Sequence, residues 1–201
     1  MEQVAIIDFE TTGLSPNQGA RATEIGVVIL SSGKIVDRFQ SLMNSGAYVA
    51  AEITALTGIS NQMLRNAPSA DKVMREVSKF VGNTPLIAHN ASFDEKFWNA
   101  ELLEANIRQK NVFACSMLVA RRIFPNSPTH KLADLVRFAK LPQVGNFHRA
   151  MADAEMTAHL VLKIEETICK TYATKVVTHQ LLRNIQTTTK ANVHRLLEEQ
   201  D

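Results

Sequence analysis

The stretch from Val4 to Phe9 is apolar and partly β-branched around a single acid, and reads as a strand. Glu24 to Leu30 and Ile35 to Met43 read as two more, joined by the turn Ser31-Ser32-Gly33-Lys34, so the chain opens as an antiparallel meander. Helical periodicity follows, its longer stretch running from about Ser69 to Val81. Leu86-Ile87-Ala88 then predicts a short apolar strand that feeds a helix starting near Ser92, with Ser92 as its N-cap. A second such unit, a strand from Val112 to Ser116 and a helix from Leu118 to Phe124, is stopped by Pro125. Leu132 to Phe138 and Ala150 to Ile168 predict two further helices. Strands come first and later alternate with helices, which predicts an α/β domain on a mixed sheet with an antiparallel three-strand start.

Composition narrows this without redirecting it. The 201 residues are 45% hydrophobic and 21% charged, enough for one domain and a short appendage. No apolar run reaches the ~18 residues of a membrane span, and the amino terminus lacks the pattern of a signal peptide, so a cytoplasmic protein without membrane contact is expected. Cys115 and Cys169 are the only cysteines and show no paired spacing, which argues against a disulfide framework or a zinc site and for two reduced, structural thiols. The net charge of +2 is unevenly spread. Residues 1–169 balance 17 bases with 17 acids, whereas 170–197 carry Lys170, Lys175, Arg183, Lys190 and Arg195 and no acid. The expected organisation is therefore a body over 1–169 and a basic, helical tail over 170–201. That tail could follow a phosphate backbone or be an ordinary solvated helix.

Three segments carry chemistry. In Asp8-Phe9-Glu10-Thr11-Thr12-Gly13, at the end of the first strand, residues two apart share a face, so Asp8 and Glu10 project together. At ~4 Å two such charges repel by about 4 kcal/mol at an effective dielectric near 20, which invites a cation or a shared proton. In His89-Asn90-Ala91-Ser92-Phe93-Asp94, Asp94 falls in the first helical turn and on the stripe of Phe97, Trp98 and Leu102, hence inward. In His148-Arg149-Ala150-Met151-Ala152-Asp153, Asp153 heads the stripe of Met156, Leu160 and Ile164. On a continuous helix His148 would point about 140° away from Asp153, so it reaches the same place only from the loop before the helix. Four inward acids form a cluster that a fold tolerates with a divalent ion, and all-oxygen ligands select Mg²⁺ or Mn²⁺ over zinc.

With these residues in view, the chain resembles the DEDDh exonucleases, the ribonuclease-H-like group that includes the proofreading subunit of bacterial DNA polymerase III and ribonuclease T. The resemblance covers about residues 4–168 and takes in the three segments above, Glu24-Ile25-Gly26, Leu56-Thr57-Gly58-Ile59 and the stretch from Leu118 to Pro125. It implies a ribonuclease-H-like fold and 3′→5′ release of nucleoside 5′-monophosphates. By the same resemblance Asp8 would bridge two Mg²⁺ or Mn²⁺ ions, with Glu10 and Asp153 completing the shell of one, Asp94 holding the other through water, and His148 acting as general base. The terminal nucleotide would meet the main chain around Thr11, Thr12 and Gly13 and the side chain of Leu14, with Asn90 and Phe93 nearby. Leu14 and Phe93 read equally well as packing residues.

The expected substrates are single-stranded or frayed DNA 3′ ends. The rival within the class is an enzyme that trims RNA 3′ ends or degrades short oligonucleotides, and the rival outside it is a catalytically silent nucleic-acid-binding subunit. A silent module has no physical need for four clustered carboxylates and a histidine. The tail is the candidate contact for a polymerase or another replication or repair partner, although its Gln180-Leu181-Leu182 is too short to identify one.

Overall fold

The computed structural model describes residues 2–145, 147–172 and 176–199. Among these, β1 (Val4–Thr11), β2 (Ala22–Ser31), β3 (Lys34–Leu42), β4 (Leu86–Ala88) and β5 (Phe113–Cys115) form one sheet in the order β3-β2-β1-β4-β5. The first three strands pair antiparallel as the expected meander, while β4 and β5 join parallel to β1. The sheet is therefore mixed, as the element order predicts. Helices α1 (Ala51–Thr57), α2 (Asn61–Arg65) and α3 (Ala70–Val81) lie between β3 and β4 in the chain. Next come α4 (Ser92–Glu104), α5 (Ser116–Ile123), α6 (Leu132–Phe138), α7 (Ala150–Tyr172), α8 (His179–Thr187) and α9 (Val193–Glu198).

The alternation of β1 sorts the layers. Ala5, Ile7 and Phe9 pack into one core with Val73, Met74 and Val77 of α3 and Phe97, Trp98 and Leu102 of α4. Val4 and Ile6 face the opposite way, into a core built with Leu160, Val161 and Ile164 of α7 and Leu181, Leu182 and Ile185 of α8. Asp8 and Glu10 continue this second row past the apolar residues, at the carboxyl end of β1. Because β4 runs parallel to β1, with Ile6 opposite Ile87, its own carboxyl end delivers His89 and Asn90 beside them. Both ends open on the same edge of the sheet, where ligand crevices form in parallel α/β sheets.

Most boundaries lie within two residues of those the sequence predicts, and two of the differences bear on the site and the tail. Helix α4 begins at Ser92 with Ala91 in the N-cap position, and no side chain caps it. The chain turns one residue earlier because Asn90 takes a left-handed φ of 71° and its carbonyl accepts the Phe93 amide at 2.9 Å. Helix α7 runs through Cys169 and Lys170 to Tyr172, so the change in charge composition falls inside a helix. Beyond it, Leu181, Leu182, Ile185, Val193 and Leu197 are buried in the second core, and the Gln186 side chain accepts the Cys115 amide on edge strand β5. Both cysteines are free, and no described helix is long and apolar enough to cross a membrane.

Candidate active site

The carboxyl ends of β1 and β4 and the start of α7 enclose a cleft of about 390 Å³. Asp8, Glu10, Asp94, His148 and Asp153 all line it, although they come from three segments separated by up to 145 positions in the sequence. Each arrives by a different local device. Asp8 and Glu10 ride the strand alternation. Asp94 sits in the first turn of α4, 2% exposed, and its Oδ1 accepts the Phe9 amide of β1 at 3.2 Å, beyond the point where β4 has ended. Asp153 sits in the first turn of α7, 8% exposed, and its Oδ2 accepts the His148 amide at 2.9 Å.

His148 is exposed, lies in the loop before α7 as the helical count requires, and has a left-handed φ of 63°. For a non-glycine residue that backbone is uncommon, and the Asp153 carboxylate that takes its amide helps hold it. Ligand atoms of Glu10, His148 and Asp153 all lie within 4.8 Å of one another. The Oδ1 of Asp153 is buried and has no hydrogen-bond partner among the described residues. A buried anionic oxygen left unpaired is costly, and a cation resolves that cost.

The electrostatics point the same way. Burial, and then the charges of Asp94, Asp153 and Glu10, push Asp8 well above the usual carboxylate range. Burial followed by Asp153 and Glu24 pushes Glu10 up to about 8, with Arg149 opposing. Asp94 is raised by burial against the Phe9 amide, and Asp153 by burial against the His148 amide. Protons or a divalent cation must therefore neutralise the cluster. Four carboxylates with one unpaired buried oxygen suit a hard, oxygen-seeking ion, and the single imidazole is compatible with it.

The expected nucleotide contacts do not all fall in the cleft. Thr11, Gly13, Leu14, Asn90 and Phe93 line it. Leu14 is 82% exposed at the rim, so it is not a core residue, whereas Phe93 packs on Phe97 with ring centroids 4.9 Å apart and also faces the cleft. The Thr11 hydroxyl donates to the Gly13 carbonyl at 2.7 Å. Thr12 turns away, its hydroxyl accepting the Arg21 amide at 3.0 Å. Ile53, Leu56 and Thr57 of α1 and His89 also line the cleft, although the sequence alone assigns them no role. His89 is held by Ser116 Oγ and the His130 carbonyl, each at 2.9 Å, and its burial pushes it down to about 4, so it is neutral. The signal for Leu56 is present in the short Leu56-Thr57-Gly58-Ile59 motif, but an exposed leucine leaves no periodic trace.

The sequence alone gives Glu24 no role either. It lies on β2 directly opposite Glu10, is 1% exposed, and is gripped by Arg149 through Nε at 3.0 Å and Nη2 at 2.8 Å. The available signal is an acid inside the apolar run from Ala22 to Leu30, a position that demands a partner.

Comparison with known proteins agrees with this geometry. The PolC-type DNA polymerase III of Bacillus cereus is 35% identical over 164 residues, which are 81% of this chain and 11% of that protein. The 3′-5′ exonuclease DinG of Bacillus subtilis is 34% identical over 171 residues, covering 83% of this chain and 18% of that one. The chain thus spans only a small part of the curated relatives it matches. Among solved structures, exonuclease X in complex with 5′-overhanging duplex DNA superposes with a TM-score of 0.71 at 26% identity, covering 91% of this chain and 99% of the other. The nuclease domain of 3′hExo, a DEDDh family member bound to rAMP, shares the fold at a TM-score of 0.72 and 18% identity, over 82% of this chain and 92% of that one. The exonuclease family model RNase_T matches residues 5–161, which include all four acids and His148, and the chain belongs to that family.

Proposed function

We propose that this chain is a metal-dependent 3′→5′ exonuclease that releases nucleoside 5′-monophosphates from single-stranded or frayed DNA ends. The observation that carries the reading is the convergence of Asp8, Glu10, Asp94, Asp153 and His148 on one cleft, with Asp153 Oδ1 left unpaired. Asp8, Glu10, Asp94 and Asp153 would hold two Mg²⁺ or Mn²⁺ ions. Such a pair stabilises the entering and leaving oxygens of an in-line phosphoryl displacement.

The chain's own groups supply the rest. A ring nitrogen of exposed His148 accepts the proton of the attacking water as its oxygen bonds to phosphorus and the bond to the 3′ oxygen breaks. The Asp153 carboxylate, bonded to the His148 amide, holds the backbone from which that ring projects. Leu14, exposed at the rim, and Phe93, braced on Phe97, offer apolar surface to a terminal base, and stacking of this kind tolerates any base. The PolC-type DNA polymerase III relative favours DNA and a polymerase as partner, and the DinG relative the 3′→5′ direction; a replication or repair role in the cytoplasm is part of this reading. The rAMP-bound neighbour keeps RNA 3′ ends as the second reading.

The test is digestion of matched single-stranded DNA and RNA, labelled at the 5′ end, with Mg²⁺, Mn²⁺ or EDTA. Asp8→Ala and His148→Ala proteins run alongside. A metal-dependent ladder that shortens from the 3′ end, and that both variants lose, is expected, with DNA cleaved faster. Faster RNA cleavage would move the substrate assignment, and cleavage that persists in EDTA or in Asp8→Ala would overturn the mechanism.

A further inference from the structure

Glu24 has no place in the chemistry above, yet it is among the most completely buried acids of the chain. The register of β1 and β2 sets it opposite Glu10, and two acids facing each other across a ladder repel. Glu24 nonetheless keeps its charge. Burial pushes its carboxyl up, but Arg149, Gln40 and the Ala150 amide together hold it below its ordinary value. Oε1 accepts from Arg149 Nη2 at 2.8 Å and Gln40 Nε2 at 2.9 Å, and Oε2 accepts from Arg149 Nε at 3.0 Å and the Ala150 amide at 3.1 Å. The Ala150 amide belongs to the first residue of α7, so one of the four unpaired donors of that helix end is fixed to the sheet.

The landing site is shaped for this contact. Two residues along β2, on the same face, stands Gly26, and a Cβ there would lie 2.4 Å from the Ala150 carbonyl carbon and 2.5 Å from the Met151 nitrogen. Backbone of α7 therefore rests directly on β2, with Gly26 as the floor and Glu24 as the clamp. Arg149 directly follows His148, whose backbone is left-handed, and the Arg149 carbonyl accepts the Asp153 amide at 3.0 Å. A displacement of Arg149 would move His148 and Asp153 together.

We propose that Glu24 is a positioning residue of the metal and general-base site, which acts through Arg149 and the first turn of α7 to set Asp153 and His148 against Asp8 and Glu10. This rests on the exonuclease reading and extends it. Groups that orient ligating carboxylates typically contribute about 10–100-fold to affinity or activity when they are lost.

The experiment compares wild type, Glu24→Gln, Arg149→Lys and the double variant by steady-state cleavage of a short DNA oligonucleotide. Mn²⁺ titration calorimetry is run alongside, at a temperature where circular dichroism shows each protein folded. Glu24→Gln should lower kcat by about 10–100-fold with KM within about 3-fold, and weaken Mn²⁺ binding by a similar factor. Arg149→Lys retains charge but loses the two-pronged contact, and should lose part of the same kcat. The double variant should be no worse than the poorer single, because the two residues act as one unit. Folded Glu24→Gln with wild-type kcat and Mn²⁺ affinity, whatever its melting temperature, would reduce the clamp to a structural contact. Should Glu24→Gln fail to fold, an Arg149→Lys protein that matches wild type in both readouts would overturn the proposal in the same way. Wild-type protein that neither binds Mn²⁺ nor cleaves DNA would instead refute the exonuclease reading itself.

Discussion

Replacing Glu10 by glutamine removes one of four crowded acids while keeping its shape, and the metal-free protein should gain stability wherever that acid is a burden. Burial, Asp153 and Glu24 raise Glu10 from 4.5 to about 8. A carboxyl whose folded value lies above its unfolded value holds its proton more tightly when folded. Its contribution favours the fold below the unfolded value and is lost as pH rises toward the folded value. At about 1.4 kcal/mol per unit, this single group costs wild type roughly 3 kcal/mol between pH 5 and pH 8. For a domain of this size that corresponds to a fall of about 6–12 °C in melting temperature. Thermal unfolding in EDTA across this range should show the fall in wild type and a flatter profile in Glu10→Gln, with the two curves separating as pH rises. Saturating Mn²⁺ should reverse the order at pH 8, since ligation requires the deprotonated carboxylates that only wild type retains in full. Parallel pH profiles for the two proteins in EDTA would refute the account of Glu10 as a destabilising buried acid.

Three further outcomes are expected. Asp8→Asn should abolish the Mn²⁺-dependent rise in melting temperature, and an equal rise in variant and wild type would show that the ion binds elsewhere. His148→Ala should lower kcat by about 10²–10⁴-fold while leaving Mn²⁺ affinity within a few-fold, as read by steady-state cleavage beside calorimetry. Truncation after Tyr172 strips Leu181, Leu182, Ile185, Val193 and Leu197 from the second core, five side chains at roughly 1.5–3 kcal/mol each. That sum rivals the whole stability of a domain, so the truncated protein should be insoluble or lack a cooperative transition by calorimetry; near-wild-type unfolding would show the tail to be dispensable.

The tail marks where the sequence pattern misleads. Its bases stand out in the one-dimensional chain, and charge composition draws attention to them. Helical spacing of Leu181, Leu182 and Ile185 is the stronger physical signal, because an amphipathic face must be buried somewhere. In a stretch with so few acids, the cations obscure it. The acids of the candidate site are legible for the opposite reason. A carboxylate on an apolar stripe contradicts its surroundings, as Asp94 does beside Phe97 and Trp98 and as Asp153 does above Met156 and Leu160, and each contradiction locates an interior group that needs a partner.

Glu24 obeys the same rule but has a partner 125 positions away, and only the fold brings Arg149 to it. Gly26 shows why such support is hard to read in advance. In sequence it resembles a weak spot in a strand, since glycine there lacks a side chain to pack and loses much entropy on ordering. In the sheet it is where α7 comes down on β2, and Asp153, in the first turn of that helix, lines the cleft with Asp8 and Glu10. The acids announce themselves by chemistry, through positions where charge has no business being. The residues that aim them are ordinary in sequence and become visible when register and helix placement set their partners opposite. Glu24 and Gly26 share a face of the sheet with Asp8 and Glu10 without lining the cleft themselves.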